Sequence, residues 1–121
     1  LMYDKGLSTN EIEARLKSLI NIKTKIVADS AEPRLIGDLA YTGINIIPCE
    51  KYPNSVQQTL TDLLEFKLIV TSESYNLKRE LSNYVWNDKK SNIPIDNYNH
   101  LIDAIRYAHA ELTKGNSFCF V

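Results

Sequence analysis

The chain has 121 residues, 44 % hydrophobic and 24 % charged, with a formal net charge of −1; that length suits one domain with a real core, and the composition is that of an ordinary globular protein. It excludes a globally cationic surface, so any nucleic-acid contact must be local, metal-assisted or shared with segments outside the chain. It also excludes a membrane span, because no apolar run approaches the roughly 18 residues one needs, and no signal peptide is visible.

In chain order, "LSTNEIEARLKSLI" opens with a helix-start signal at Ser8 to Asn10 and acidic residues in its first turn. Ile12, Leu16, Leu19 and Ile20 then repeat at helical spacing. "TKIVAD", residues 24–29, is a β-branched run that predicts a buried strand ending at Asp29. Pro33 suits the first turn of a following helix, and Gly43 suits its left-handed end.

"INIIPCE" (44–50) predicts a second strand, and "NSVQQTLTDLLEF" (54–66) a helix capped at Asn54 or Ser55. "KLIVTSES" (67–74) predicts a third strand. "NLKRELSNYVW" (76–86) predicts an amphipathic helix with Leu77, Leu81 and Tyr84 on one side. "WNDKKSNIPI" suggests a hairpin whose second arm is limited by Pro94. A last helix is expected from about Asn97 to Lys114, stopping at Gly115, with the tail "NSFCFV" as a short extra strand. Leu101, Ile105, Ala108 and Leu112 would form its buried stripe, with Ile102 flanking, while Asp96, Arg106 and Glu111 would be solvated or salt-bridged surface.

Strand and helix thus alternate three times, which predicts one α/β domain with parallel pairing among 24–29, 44–50 and 67–74. Ile26, Val27, Ile46, Leu68 and Val70 should be buried in that sheet, under helices on both faces. Cys49 and Cys119 lie far apart without CxxC spacing, which argues against a zinc site and fits free thiols.

The chemistry-bearing residues are few. Asp29 ends a strand and enters a loop, where open α/β sheets gather ligand sites; it could coordinate a hard cation, or form the turn that short polar residues favour there. Glu32, just beyond, reads as a carboxylate drawn to a helix N-terminus. His100 and Asp103 stand three apart on one helix face with Tyr107, roughly opposite the apolar stripe. Such a face usually meets water; it becomes a metal site only if another layer brings carboxylates to it. No GxSxG, P-loop or GxGxxG is present, so nucleophilic-serine and phosphate-loop chemistry have no local support, and a flavodoxin-like nucleotide binder is disfavoured.

Four blocks, "VADSAEPRLIGDLAYTGINI", "CEKYPNSVQQTL", "NLKRELSNYVW" and "PIDNYNHLIDAIRYA", resemble the C-terminal nuclease domain of phage and prophage terminase large subunits, the defective-prophage type above all. The resemblance covers roughly residues 1 to 110. It implies a ribonuclease H-like three-layer fold and a two-metal endonuclease that cuts concatemeric viral DNA during packaging. It further implies double-stranded DNA, the portal or procapsid and the terminase small subunit as partners, in the cytoplasm of a bacterial host.

By that resemblance Asp29 and Asp103 are the catalytic metal ligands, His100 is a further metal-side residue, and Lys51 is a candidate phosphate contact. Mg²⁺ or Mn²⁺ would be the cofactor, and the three ligands would face one another across a cleft. The family's first-strand Asp has no counterpart, and Leu1–Met2–Tyr3 looks like the end of its third strand. The expectation is therefore a chain that lacks the ATPase domain and the first strands of the sheet. Two carboxylates and one imidazole fall short of the usual two-metal ligand set, so residues 1–121 alone are expected to be nearly inactive. The alternative is a non-catalytic remnant or interaction module with the same fold.

Overall fold

The computed structural model describes residues 6–21, 23–84 and 97–114. Its elements are α1 (Thr9–Leu19), β1 (Ile26–Ala28), α2 (Pro33–Tyr41), β2 (Ile46–Pro48), α3 (Ser55–Leu64), α4 (Tyr75–Asn83) and α5 (His100–Lys114). They fall into two compact units, divided between Cys49 and Glu50.

The first unit is a β-α-β turn of chain with α1 leading into it. Ser8 caps α1: its hydroxyl accepts from the Glu11 N–H, and the Glu11 carboxylate accepts from the Ser8 N–H at 2.7 Å. Two of the helix's orphan donors are thereby satisfied, at the helix start that the sequence marks. β1 and β2 pair in parallel with Ile26 opposite Ile46 and Ala28 opposite Pro48. The ladder bonds from Ile26 N–H to Asn45 and from Cys49 N–H to Ala28 flank Pro48, whose missing N–H is therefore not needed on this side.

A parallel pair needs a crossover, and α2 supplies it. Pro33 stands in the first turn of α2, and Gly43, at φ 95°, follows its C-cap Thr42. Both positions agree with the sequence reading. Ile36 and Leu39 of α2, with Ile44 and Cys49, form the buried apolar centre of this unit. Cys49 carries a free thiol, as expected.

In the second unit α5 packs against both α3 and α4. Leu77, Leu101 and Ile102 form a buried cluster, with Val70, Tyr84 and Ile105 packed around it. Leu60 and Leu63 bury the inward side of α3.

Four expectations need correction. Residues 67–71 join no ladder among the described residues, and the sheet there has two strands, not three. Its β-branched and apolar run anchors through Val70 alone, leaving Leu68 and Ile69 exposed. Ile26, Val27 and Ile46 are half-buried rather than buried, because two three-residue strands leave little to cover.

On α4 the inward positions are Leu77 and Glu80, and Leu81 is exposed. On α5 they are Leu101, Ile102 and Arg106, while Ala108 and Leu112 face outward. In both helices a charged side chain takes an inward place because it finds partners there, which apolar periodicity does not register. The hairpin at 86–95, the "NSFCFV" tail, Asp96, Gly115, Cys119 and the Leu1–Met2–Tyr3 strand end lie outside the described residues.

Candidate active site

Asp29 is the first residue after β1, at the carboxyl end of the parallel pair, where the sequence places it. Its side chain is exposed, and Oδ1 accepts from the Ala31 N–H at 2.9 Å. That bond closes an Asx turn leading toward α2. Ser30 and Cys49 meet at the same end of the pair, with Sγ 3.9 Å from Oγ. Glu32 occupies the N-cap of α2 without a side-chain cap bond.

His100 and Asp103 belong to the second unit and share the first turn of α5. Neighbours three apart on a helix hold their Cβ atoms about 5–6 Å apart, so the two side chains can serve one ligand. His100 is exposed and Asp103 half-buried. Lys51, also in this unit, lies exposed in the loop before α3.

Arg106, one turn on, organises Asp103. Its Nη2 and Nε donate to Asp103 Oδ1 at 2.7 and 3.2 Å. Its Nη1 donates to Thr59 Oγ1 of α3 at 2.6 Å. The guanidinium also lies 5.2 Å from the centre of the Tyr107 ring. Arg106 is only 3 % exposed, so the fork is shielded from competing water. Both bonds to Asp103 land on one carboxylate oxygen, and the pair does not use the other, Oδ2.

Glu80 fixes the start of α5 from the neighbouring helix. Its Oε2 accepts from the N–H groups of Leu101 and Ile102 at 2.8 and 3.1 Å. A carboxylate there satisfies two orphan donors and complements the positive end of the helix dipole. Glu80 is 3 % exposed, and its Oε1 has no hydrogen-bond partner among the described residues.

Sequence reasoning missed both Glu80 and the Arg106–Thr59 brace. Each looks like a solvated polar residue until its partner helix is known. One signal was available for Arg106, since Asp103 precedes it by three residues.

Within neither unit do three His, Cys, Asp or Glu side chains form a metal-sized cluster among the described residues. The donors themselves suit a hard divalent ion: an exposed carboxylate at a strand end, and a carboxylate with an imidazole one helical turn apart.

A parallel β-α-β unit with a carboxylate at the strand end, and a helical unit after it in the chain, define an α/β protein. Residues 1–111 match the family model described as "Terminase RNAseH like domain", and the chain belongs to that family. Its fold is similar to that of the crystal structure of the g2p (large terminase) nuclease domain from the bacteriophage SPP1 with bound Mn, with a TM-score of 0.78 and 29 % sequence identity. The match covers 89 % of this chain and 66 % of that one. No curated protein matches the chain. Among the described residues no helix is long and apolar enough to cross a membrane.

Proposed function

We propose that the chain is the metal-dependent DNA endonuclease part of a phage or prophage terminase large subunit, cutting concatemeric DNA during packaging. The observation that carries this reading is the 29 % identity, across 89 % of the chain, to a terminase nuclease domain crystallised with Mn. Asp29 and Asp103 are the proposed catalytic carboxylates and metal ligands, with His100 as a further metal ligand and Lys51 as a phosphate contact.

Bound Mg²⁺ or Mn²⁺ would stabilise charge on the attacking and leaving oxygens of the phosphodiester. The chain's own part is to hold carboxylate oxygens in fixed orientations, which the Asx turn at Asp29 and the Arg106 pair at Asp103 favour. The His100 imidazole biases the ligand set toward Mn²⁺. Duplex DNA is the proposed substrate, and the procapsid portal and small subunit are the proposed partners, in the host cytoplasm.

The competing reading is a non-catalytic module of the same fold. The formal net charge of −1 favours it, because such a chain offers DNA no broad cationic surface. Plasmid nicking and Mn²⁺ binding separate the two. Under the nuclease reading the chain binds Mn²⁺, and Asp29→Ala and Asp103→Ala each weaken that binding by about 10-fold or more and abolish any EDTA-sensitive nicking. With two carboxylates for a site that normally draws on three or more, nicking by residues 1–121 alone is expected to be weak. Mn²⁺ binding that ignores both substitutions would leave only the interaction module.

A further inference from the structure

We propose that Arg106, braced by Thr59, is a positioning residue that sets the orientation of Asp103 toward a divalent cation. The inference rests on the metal-dependent nuclease reading and adds to it two residues with no place in its ligand set.

An aspartate on a helix surface samples several rotamers, and a ligand that must be ordered at the moment of binding gives up affinity. Here the order is present beforehand. Nε and Nη2 of Arg106 both reach Asp103 Oδ1, at 3.2 and 2.7 Å. Two donors on one oxygen hold Oδ1 against the guanidinium and leave Oδ2 without a bond to it.

The guanidinium is itself held. Its third contact, Nη1 to Thr59 Oγ1 at 2.6 Å, crosses from α5 to α3. The Thr59 hydroxyl donates in turn to the Ser55 carbonyl at 2.6 Å, so its lone pairs are aimed at the arginine. Thr59 is 9 % exposed and Arg106 3 %. A buried guanidinium is costly unless it is paired and hydrogen-bonded, and three bonds, from Nε, Nη1 and Nη2, restrain this one. The chain Ser55 carbonyl, Thr59, Arg106, Asp103 therefore transmits the rigidity of α3 to a single carboxylate on α5. Groups that hold a metal ligand from behind act on affinity without touching the ion.

The test uses the whole chain, with Mn²⁺ alone as the probe, followed by water-proton relaxation and by calorimetry. Thr59→Val keeps the shape of the side chain and removes the acceptor for Nη1; Thr59→Ser keeps the hydroxyl. Arg106→Lys keeps the charge and loses the fork, and provides a second route if Thr59→Val unfolds. Thr59→Val and Arg106→Lys are expected to weaken Mn²⁺ binding about 10-fold, the lower end of the range for supporting partners of metal ligands. Thr59→Ser should bind as the wild type does.

In the Thr59→Val protein the Nε–H resonance of Arg106 should also exchange faster with water, a readout independent of metal. Folded Thr59→Val and Arg106→Lys proteins that bind Mn²⁺ like the wild type, while Asp103→Asn does not, would overturn the positioning role alone. A wild type that does not bind Mn²⁺, or an Asp103→Asn protein that binds it unchanged, would overturn the metal reading and the positioning role with it.

Discussion

Glu80 illustrates how a single side chain can hold a helix start in place. Its Oε2 takes two backbone N–H groups of α5 in a site closed to water. Charge-assisted bonds of this kind contribute about 1.5–3 kcal/mol net, and orphaned donors cost about 1–3 kcal/mol. Glu80→Ala should therefore lower unfolding stability by about 2–3 kcal/mol. Glu80→Gln, which keeps an acceptor but no charge, should fall between it and the wild type. Urea midpoints of the three proteins check this; equal midpoints would show that Oε2 contributes nothing. No pattern in "NLKRELSNYVW" marks Glu80 as buried, since charge on a helix ordinarily reads as solvated surface. The partner N–H groups lie 21 and 22 residues away in sequence. Asp103 and Arg106, by contrast, were within reach of sequence reasoning, because their spacing makes them helix neighbours. What the spacing did not contain was Thr59, and with it the burial of Arg106.

Helix ends were the most legible elements. The helix start that the sequence marks at Ser8 to Asn10 is, in the structure, a capping box of Ser8 with Glu11. Glu11 accepts first from the backbone N–H and then from the hydroxyl of Ser8, and both hold its carboxyl below the ordinary glutamate value of 4.5. A depressed folded pKa contributes stability that is fully present above the unfolded value and is lost as pH falls through the folded one. The N-terminal turn of α1 should thus loosen only below about pH 4.5. Carbon-13 titration of the Glu11 carboxyl should give a midpoint below the ordinary value. Ser8→Ala, which removes the hydroxyl bond but not the backbone one, should move that midpoint part of the way back; an unmoved midpoint would remove the hydroxyl from the account.

At the other end of α2, Gly43 has φ 95° and open space around its missing Cβ. Gly43→Ala therefore carries a backbone penalty without a clash, about 1–2 kcal/mol, measurable as a lower thermal midpoint. The third strand is the element that failed. An apolar run of three or four residues suits a strand or a packed loop equally well, and only a neighbouring strand decides between them.

At the scale of the whole chain, the described residues form a parallel β1–α2–β2 turn in the first unit and a three-helix packing in the second. If Asp29 and Asp103 are ligands, replacing either with Ala should cut Mn²⁺ affinity at least as severely as loosening Arg106, by about 10–100-fold or more. Calorimetry on the two variants measures it, and an Asp29→Ala protein with wild-type affinity would confine any metal to the α5 residues.

The sequence by itself determined the order and type of most elements, the caps at Ser8, Pro33 and Gly43, the placement of Asp29 at a strand end, the pairing of His100 with Asp103 on one turn, and the family. These follow from local sterics, short-range hydrogen bonds and residue spacing, which are written in consecutive residues. Only the tertiary structure decided that Arg106 and Glu80 turn inward, that Leu81 and Leu112 turn outward, and that residues 67–71 stay out of the sheet. Those outcomes depend on partners brought from distant parts of the chain, and a buried charge is stable only where such a partner meets it.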